Sequence, residues 1–531
     1  MPRFAAIDVG SNALRLRIVE ASAPSPKTGT ASPPPGSVRP QLPLLDERDG
    51  AEPWRDLATL RAPVRLGAEV FLSGRLAPAS IGQACDALRN FRAEMDRAKC
   101  DAYRAIATSA VREAKNGATL VERARREANI EVETIEGIEE ARLIQLAVTR
   151  RVPLEGERAL LVDVGGGSTE LTLLDKGTTA FTMSLPLGTV RMLEAYLKGQ
   201  KTIDRKREKL LEEAVDRALG EALPQLGKVD VLVGTGGNID TLYDLAPAKG
   251  RAIDVSAAKS LYKKLCGMTN SERRDEYQLR PDRADTLVPA AAIFLRLAKK
   301  LELPTILAPG VGLAQGMLEE LVDKFFHVWD AAGEAERVLE GCARLGRHYH
   351  FDENHARHVA KFATQLFDDL HAVHAFGDRD RLLLRAAAML HDIGDFIHYS
   401  GHHKHSYYLI QHADLMGLKP EERAIVANLA RYHRKGPPDA THPNYRELSK
   451  EARGKVRGLA AILRIADALD REHKQKIESV RAAIDRGAGK VTLFLRGAED
   501  RELEEWTVGG KASLWRDEYD FDIVIAKAEV S

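Results

Sequence analysis

LLVDVGGGSTEL (residues 160–171) predicts an apolar strand that ends at Asp163 and runs into a glycine turn. AAIDVGSNALRLRIVE (residues 5–20) repeats the pattern, with Asp8 and Gly10 each 155 positions before Asp163 and Gly165. Glycine lets the backbone approach a ligand without a Cβ clash, and successive N–H groups of such a turn bind phosphate oxygens. An Asp at the strand end can also hold Mg²⁺. The repeat predicts two homologous lobes, each with an anion-binding turn.

A third glycine turn, VGTGGNIDTL (residues 233–242), follows another apolar strand. It is neither a GxxxxGK[ST] phosphate loop nor a GxGxxG dinucleotide fingerprint. We expect the three turns to converge on one cleft. The residues predicted to contact phosphate there are Asp8, Gly10, Ser11, Asn12, Gly165, Gly166, Gly167, Ser168, Gly236 and Gly237.

Strand and helix patterns alternate through the N-terminal half, as at residues 4–9, 81–97, 159–164 and 305–307. Such alternation favours an α/β architecture with mainly parallel central strands. The pattern becomes almost entirely helical from residue 335 to about 483, and a β-rich tail follows.

These patterns predict four segments and one insertion. They are a first lobe (1–130), a second lobe (131–320), a helical domain (335–485) and a small β-rich tail (486–531). Residues 21–53 hold eight of the 23 prolines without a helical or strand period, which predicts a proline-rich insertion in the first lobe.

Composition limits the classes of protein to be considered. The 531 residues are 44% hydrophobic and carry a net charge of +0, so no global field attracts nucleic acid or another polyanion. The four cysteines are widely spaced, without a CxxC pair, and indicate neither a disulfide framework nor a zinc knuckle. No signal peptide and no membrane-spanning apolar run is recognisable. We therefore expect a cytoplasmic protein that binds neither nucleic acid nor a membrane.

All 16 histidines lie between His327 and His473, which indicates two modules with different chemistry. A general base in the N-terminal half is then a carboxylate, because histidine is the usual neutral-pH base. Asp163 and Glu170, on either side of the second turn, are the candidates for coordinating Mg²⁺ or positioning water.

The ordered motifs resemble the exopolyphosphatase/guanosine pentaphosphatase (Ppx/GppA) phosphatase family, and the turns resemble those of actin and the sugar kinases. The resemblance rests on IATSAVREAKN (106–116), EGIEEARL (136–143), both repeated turns and the third turn. It covers nearly the whole chain apart from the proline-rich insertion. It implies two actin-like (ribonuclease-H-like) α/β lobes of the ASKHA superfamily, then an all-α HD-type domain with a small β tail. It also implies a homodimer.

The resemblance implies specific roles in the N-terminal half. Glu140, directly before Ala-Arg, is the base that activates or orients the attacking water, and Arg112 binds phosphate. Glu139 is expected to be an ordinary acid of a helix N-terminus. The chain departs from the family pattern at Asn238, where a small hydroxyl residue is more usual, and in GLAQG (312–316), where Arg-Glu/Asp-Gly is more usual.

Histidine and aspartate in the helical domain follow the order of HD-type metal ligands. The set is His355, His391, Asp392 and Asp467, and His402, His403, His405 and His433 can extend it. Imidazole with carboxylate suits Mn²⁺, iron or zinc better than Mg²⁺. A second metal-dependent phosphohydrolase activity is therefore an open hypothesis.

The resemblance implies that the protein is a Mg²⁺-dependent exopolyphosphatase, which removes terminal orthophosphate processively from inorganic polyphosphate. The nearest alternative is hydrolysis of the 5′-γ-phosphate of guanosine pentaphosphate by the same site. An actin-fold kinase and a non-catalytic sensor of polyphosphate or an alarmone are the other two hypotheses.

Overall fold

The chain divides into two units, Met1–Trp329 and Asp330–Ser531. The computed structural model describes residues 1–22, 54–246, 250–326, 331–413, 415–498 and 500–527. Nearly all of the predicted proline-rich insertion therefore lies outside the described residues. The chain leaves one strand at Ala21 and enters its antiparallel neighbour at Trp54.

The first unit contains a five-stranded sheet in the order β3-β2-β1-β4-β5. The hairpin strands β1, β2 and β3 are antiparallel, while β4 and β5 run parallel to β1. The strands are β1 (Arg3–Val9), β2 (Leu14–Ala21), β3 (Trp54–Ala62), β4 (Ala102–Ala107) and β5 (Val132–Thr134). Because β5 pairs with β4, this lobe extends past the predicted boundary at residue 130.

A second, six-stranded sheet has the order β10-β11-β9-β6-β7-β8. Its β8-β7-β6-β9-β11 part repeats the order and the strand directions of the first sheet. The strands are β6 (Arg158–Val164), β7 (Thr169–Asp175), β8 (Thr178–Leu185), β9 (Val231–Thr235), β10 (Ala252–Asp254) and β11 (Thr305–Leu307). The duplication predicted from the two turns thus extends to both sheets.

Both faces of each sheet are buried, as expected for mainly parallel central strands. In β1, Phe4 and Ala6 face one hydrophobic cluster and Ile7 faces another. In β6, Leu161 joins Phe4 in the shared cluster between the sheets, while Leu160 packs on the opposite side. Successive side chains of a strand point to opposite faces of the sheet, so each strand contributes to both clusters.

Helices cover the outer faces and also fill the space between the sheets. They are α1 (Gly67–Ser73), α2 (Pro78–Ala98), α3 (Ser109–Glu113), α4 (Gly117–Ala128), α5 (Gly137–Arg151), α6 (Thr189–Met192), α7 (Arg205–Leu219), α8 (Leu223–Leu226), α9 (Gly237–Leu245), α10 (Val255–Gly267), α11 (Asn270–Tyr277), α12 (Pro281–Lys300) and α13 (Leu313–Phe325). A π-helical turn, Leu193–Leu197, follows α6. Helices α5 and α13 pack against each other between the sheets.

The second unit begins with a bundle of helices. These are α14 (Ala331–His348), α15 (Glu353–Asp369), α16 (His371–His374), α17 (Asp378–Leu390), α18 (His402–Gln411), α19 (Pro420–Tyr432), α20 (Pro443–Arg446) and α21 (Lys450–Ala468), with a 3₁₀ turn at Ile393–Phe396. A three-stranded sheet follows in the order β12-β13-β14. In no part of the chain that the structure describes is a helix both long and apolar enough to cross a membrane.

The C-terminal part corrects two expectations. Residues 477–483 were expected to be helical but form β12 (Ile477–Asp485), which pairs with β13 (Lys490–Gly497). The tail also holds two helices, α22 (Glu502–Lys511) and α23 (Ser513–Tyr519), before β14 (Asp522–Lys527). Strands, tail and bundle share one hydrophobic core, because the apolar residues on one face of β12 pack against α15.

Helix α13 approaches α5 without room for a side chain at Gly316. A Cβ added there would fall on the backbone carbonyl of Leu143. We expect Gly316→Ala to lower the free energy of unfolding by about 1–3 kcal/mol, since overpacking forces the backbones apart. Urea unfolding followed by circular dichroism measures the change.

Gly82→Ala is the matched control, because nothing lies within 4 Å of a Cβ added at this helical glycine. It should raise the free energy of unfolding by about 0.5–1 kcal/mol, the cost of glycine in a helix. Equal effects of the two substitutions would contradict a close approach of α5 and α13.

Candidate active site

The turns after β1 and β6 have the same backbone geometry. The Gly10 N–H donates to the Ala13 carbonyl at 3.2 Å, and the Gly165 N–H donates to the Ser168 carbonyl at 3.0 Å. These two glycine N–H groups therefore close the turns themselves. The N–H groups that follow them in each turn remain the candidates for binding an anion.

The two turns meet across one cleft. A Cβ added at Gly166 would lie 2.8 Å from the Ser11 Cβ and 3.5 Å from the Asn12 nitrogen. The Ser11 hydroxyl lies 2.9 Å from the Ser109 hydroxyl, at the start of α3. Only glycine at position 166 permits this approach, so the duplicated turns form a single site.

Asp163 and Glu170 are direct cross-strand partners in the β6–β7 hairpin. The Thr235 hydroxyl, at the third turn, donates to Asp163 Oδ1 at 2.6 Å. The Ser184 hydroxyl donates to Glu170 Oε1 at 2.9 Å. Pairing on antiparallel strands places both side chains on the same face of the sheet.

Glu140 reaches the same place from the first turn of α5. Its side chain, Asp163 and Glu170 are buried, and one oxygen of each lies within 4.8 Å of the other two. Glu140 Oε2 and Glu170 Oε2 are buried without a hydrogen-bond partner. Glu139 instead pairs with Arg142 at 2.7 Å, as expected for an ordinary acid at a helix N-terminus.

Burial and mutual repulsion disfavour ionisation of this cluster. Burial raises the pKa of Glu140 well above its usual value, and the nearby Glu170 and Asp163 carboxylates raise it further. Burial, with Asp163 alongside, raises the pKa of Glu170 to about 7. Burial also raises the pKa of Asp163, although the Thr235 hydrogen bond opposes that shift. Buried carboxyl oxygens without partners favour a cation among them.

In the first lobe, Asp8 has Arg15 as its cross-strand partner, and their side chains approach to 3.5 Å. Glu170 lies 155 positions after Arg15, the offset that relates the two turns. Duplication therefore puts an arginine where the second lobe has an acid. No local motif marks Arg15, but the 155-residue offset applied to Glu170 identifies it.

The turns and helices enclose a cavity of about 250 Å³. Two further arginines line it, Arg17 from β2 and Arg283 from α12. Arg283 Nη1 donates to Asn238 Oδ1 at 2.8 Å. Asn238, which departs from the family pattern, therefore orients the Arg283 guanidinium. Burial lowers the pKa of Arg283 to about 10, with the positive charge of Arg15 adding to the effect. No motif in the sequence marks Arg283.

Most of the predicted phosphate-contacting residues line this cavity, together with Glu140 and Asp163. Among the described residues, Glu170, Gly167 and Arg112 are not part of the lining. Arg112 Nη1 donates to the Ile135 carbonyl at 2.7 Å, and its charge acts on Glu140 and Glu170. The Arg112 guanidinium therefore favours ionisation of these two carboxylates, and it does not line the cavity where a ligand would bind.

In the second unit, the structure brings together the four residues predicted as metal ligands. His355, His391 and Asp467 form one group of converging donor atoms, and Asp392 lies beside them. His402 and His433 join Asp392 in a second group. Among the described residues, His403 and His405 belong to neither group.

Comparison with known families decides what kind of protein carries this site. The model of the Ppx/GppA phosphatase family matches residues 45–325, and the model of its domain III matches residues 340–507. The chain belongs to the Ppx/GppA phosphatase family. It is therefore a phosphoanhydride hydrolase, which sets aside the kinase and the non-catalytic sensor.

Curated relatives extend over most of the chain. The guanosine-5′-triphosphate,3′-diphosphate pyrophosphatase of Photobacterium profundum is 26% identical over 82% of this chain and 80% of its own. The protein of the same name from Aeromonas hydrophila is 27% identical over 88% of this chain and 87% of its own. An exopolyphosphatase structure from Cytophaga hutchinsonii, 24% identical, covers 61% of this chain and 98% of its own with a TM-score of 0.52, and so shows the fold.

Arg15 offers a test of the cavity as an anion site. We expect Arg15→Ala to raise KM for a phosphoanhydride substrate by about 10–100-fold, because a charge-assisted hydrogen bond contributes roughly 1.5–3 kcal/mol. Steady-state phosphate release measures it. Arg55→Ala is the matched control, since Arg55 on β3 is largely exposed and pairs with Glu20. An unchanged KM in Arg15→Ala would remove Arg15 from substrate binding.

Proposed function

We propose that the first unit hydrolyses the terminal phosphoanhydride bond of guanosine pentaphosphate. Water attacks the 5′-γ-phosphorus, the bond to the β,γ-bridging oxygen breaks, and orthophosphate and guanosine tetraphosphate leave. The observation that carries the proposal is the buried group Glu140, Asp163 and Glu170 beside two glycine turns that touch. Phosphoryl transfer requires positioning and charge neutralisation of this kind.

The donor atoms of this group fit Mg²⁺. They are carboxylate oxygens, and Glu140 Oε2 and Glu170 Oε2 lack hydrogen-bond partners. Hard cations such as Mg²⁺ prefer oxygen ligands. We assign Asp163 and Glu170 as the residues that hold the ion. A bound Mg²⁺ would neutralise negative charge on the transferred phosphoryl group.

Main-chain and arginine groups then hold the phosphate chain. We assign the N–H groups of Ser11 and Asn12 from one turn, and of Gly166 and Ser168 from the other, to the phosphate oxygens. Backbone donors of this kind are fixed before the substrate arrives and cost little reorganisation. The guanidinium groups that line the cavity add positive charge at its wall.

Glu140 aligns the attacking water and accepts its proton. It lines the cavity and its carboxylate lies close to those of Asp163 and Glu170, where a positioned carboxylate can take a proton from water. Histidine is absent from the first 326 residues, so an acid is the natural base in this unit.

The choice of guanosine pentaphosphate reverses the order of substrates expected from sequence. Four curated relatives at 26–27% identity are named for it and align with 80% or more of their own length. Polyphosphate remains the second candidate, because no aromatic ring is present among the described residues that line the cavity. The cavity therefore selects a phosphate chain end, which both compounds offer.

Glu140→Gln tests the base. We expect kcat to fall by about 10²–10⁴-fold, the usual contribution of a positioned acid or base, with KM little changed. The unfolding temperature should change little, because glutamine has nearly the same volume as the buried glutamate. Glu136→Gln is the matched control, since Glu136 precedes the same helix and is exposed. Near-normal turnover in Glu140→Gln would exclude the assigned role.

The substrate is tested by phosphate release from guanosine pentaphosphate and from long-chain polyphosphate at equal concentrations of ends. We expect kcat/KM to be at least about tenfold higher for guanosine pentaphosphate, a difference of about 1.4 kcal/mol in transition-state stabilisation. EDTA should abolish release, and Mg²⁺ should restore it. A preference for polyphosphate would make the second candidate the function.

A further inference from the structure

Six side chains of the second unit converge around the end of α17. Five of them are less than one-tenth exposed, and the sixth, Asp392, has a side chain 19% exposed. They come from five parts of the chain far apart in sequence. The residues are His355 on α15, His391 and Asp392 after α17, His402 on α18, His433 after α19, and Asp467 on α21.

Two of the histidines donate through Nδ1 to main-chain carbonyls. His391 Nδ1 lies 2.8 Å from the Ala388 carbonyl, and His433 Nδ1 lies 2.7 Å from the Ala430 carbonyl. A carbonyl only accepts, so the proton is on Nδ1 in both rings. Each Nε2 therefore presents its lone pair to the cluster, the tautomer that binds a metal.

The other two histidines are oriented by carboxylates. His355 Nδ1 lies 2.9 Å from Asp470 Oδ2, and His402 Nδ1 lies 2.7 Å from Asp395 Oδ1. Metal-bound histidines commonly donate their second ring N–H to a carboxylate or a carbonyl. All four rings thus have the supporting contact that such ligands need.

The Nε2 atoms approach each other in pairs. His355 and His391 are 3.2 Å apart at Nε2, and His402 and His433 are 3.3 Å apart. Two nitrogens at this distance need a proton or a metal ion between them, since two bare lone pairs repel. Two nitrogens bound to one ion at about 2.1 Å, with an angle of about 90–110°, are about 3.0–3.4 Å apart. Each pair has the spacing of two ligands on a single ion.

Asp392 faces both pairs with different oxygens. Its Oδ1 lies 3.0 Å from His402 Nε2 and 3.4 Å from His433 Nε2. Its Oδ2 lies 3.5 Å from His391 Nε2 and 3.8 Å from His355 Nε2. A carboxylate in this position bridges two ions.

Asp467 completes only one of the two sets. Its Oδ1 lies 3.5 Å from His391 Nε2 and 3.7 Å from His355 Nε2, while its Oδ2 pairs with Lys511. The first set thus has four protein ligands, and the second has three. With only three protein ligands, the second ion keeps open positions.

We propose that the second unit binds a pair of transition-metal ions bridged by Asp392. His355, His391 and Asp467 complete the first site, and His402 and His433 complete the second. Nitrogen-rich sets select Mn²⁺, Fe²⁺ or Zn²⁺ over Mg²⁺. The pair goes beyond the single HD-type site expected from sequence, and it is independent of the carboxylate site in the first unit.

The open positions of the second ion take a phosphate group. Arg434 Nη1 lies 3.3 Å from His402 Nε2, which puts a guanidinium beside that ion. Its guanidinium carbon also lies 5.9 Å from the ring centre of the exposed Tyr399. A cation pair flanked by arginine is a site for a phosphoryl anion.

Metal content tests the pair directly. The full-length protein is stripped with chelator, loaded with Mn²⁺, freed of excess by gel filtration and analysed by inductively coupled plasma mass spectrometry. We expect Asp392→Ala to bind two fewer Mn²⁺ per chain than wild type, and His433→Ala one fewer. His371→Ala, at an exposed histidine outside the cluster, should lose none. Circular dichroism of the metal-free variants checks that they fold.

Electron paramagnetic resonance distinguishes a bridged pair from separate ions. Wild type should show the multiline signal of two exchange-coupled Mn²⁺ ions, and His433→Ala should show only an uncoupled signal. Inorganic phosphate should change the coupled signal of wild type. Equal Mn²⁺ content in wild type and both cluster variants, or a loaded wild type without coupling, would overturn the pair. A coupled signal insensitive to phosphate would overturn the phosphate site.

Discussion

The contact between the two glycine turns is the constraint on which the first unit depends. At Gly166 the turn of one lobe lies against Ser11 of the other, at a distance that excludes any side chain. This contact brings the carboxyl ends of β1 and β6 to one cavity and places Asp8 near Asp163. Burial raises the pKa of Asp163, and repulsion from the Asp8 carboxylate raises it further. Such a cluster is held together by the packing around it.

The two lobes contain matching hairpins that differ in charge at one pair of equivalent positions, Arg15 in the first and Glu170 in the second. In the first lobe Arg15 lies opposite Asp8 and satisfies it. In the second lobe Glu170 lies opposite Asp163, so that hairpin carries two acids in one place. The first hairpin is suited to holding an anionic substrate, and the second to holding a metal ion. The cavity between them therefore has an arginine on the side of the first hairpin and two acids on the side of the second.

Sequence reasoning succeeded where a local pattern has a single physical meaning. The strand-Asp-glycine repeat predicted two homologous lobes and the meeting of their turns, because two matching turns at one offset are much stronger evidence than a single glycine turn. It failed at β12, since the alanines of residues 482–483 suit a helix, and only pairing with β13 makes them a strand. Arg283 was not predictable, because it reaches the cavity from a helix without a motif and is oriented by Asn238. The sequence names His402 and His433 as candidates to extend the metal set, but their convergence on Asp392 is a tertiary fact, as 31 residues separate the two histidines.

The two units offer metal ions different donor sets, and that difference separates their chemistry. The cluster around Glu140 consists of oxygen ligands and lies in a unit whose 326 N-terminal residues lack histidine. The cluster around Asp392 combines four imidazoles with two carboxylates. Mg²⁺ binds imidazole weakly, while Mn²⁺, Fe²⁺ and Zn²⁺ bind it well. The carboxylate cluster therefore suits the abundant cellular Mg²⁺, and the imidazole cluster suits a scarcer transition-metal ion.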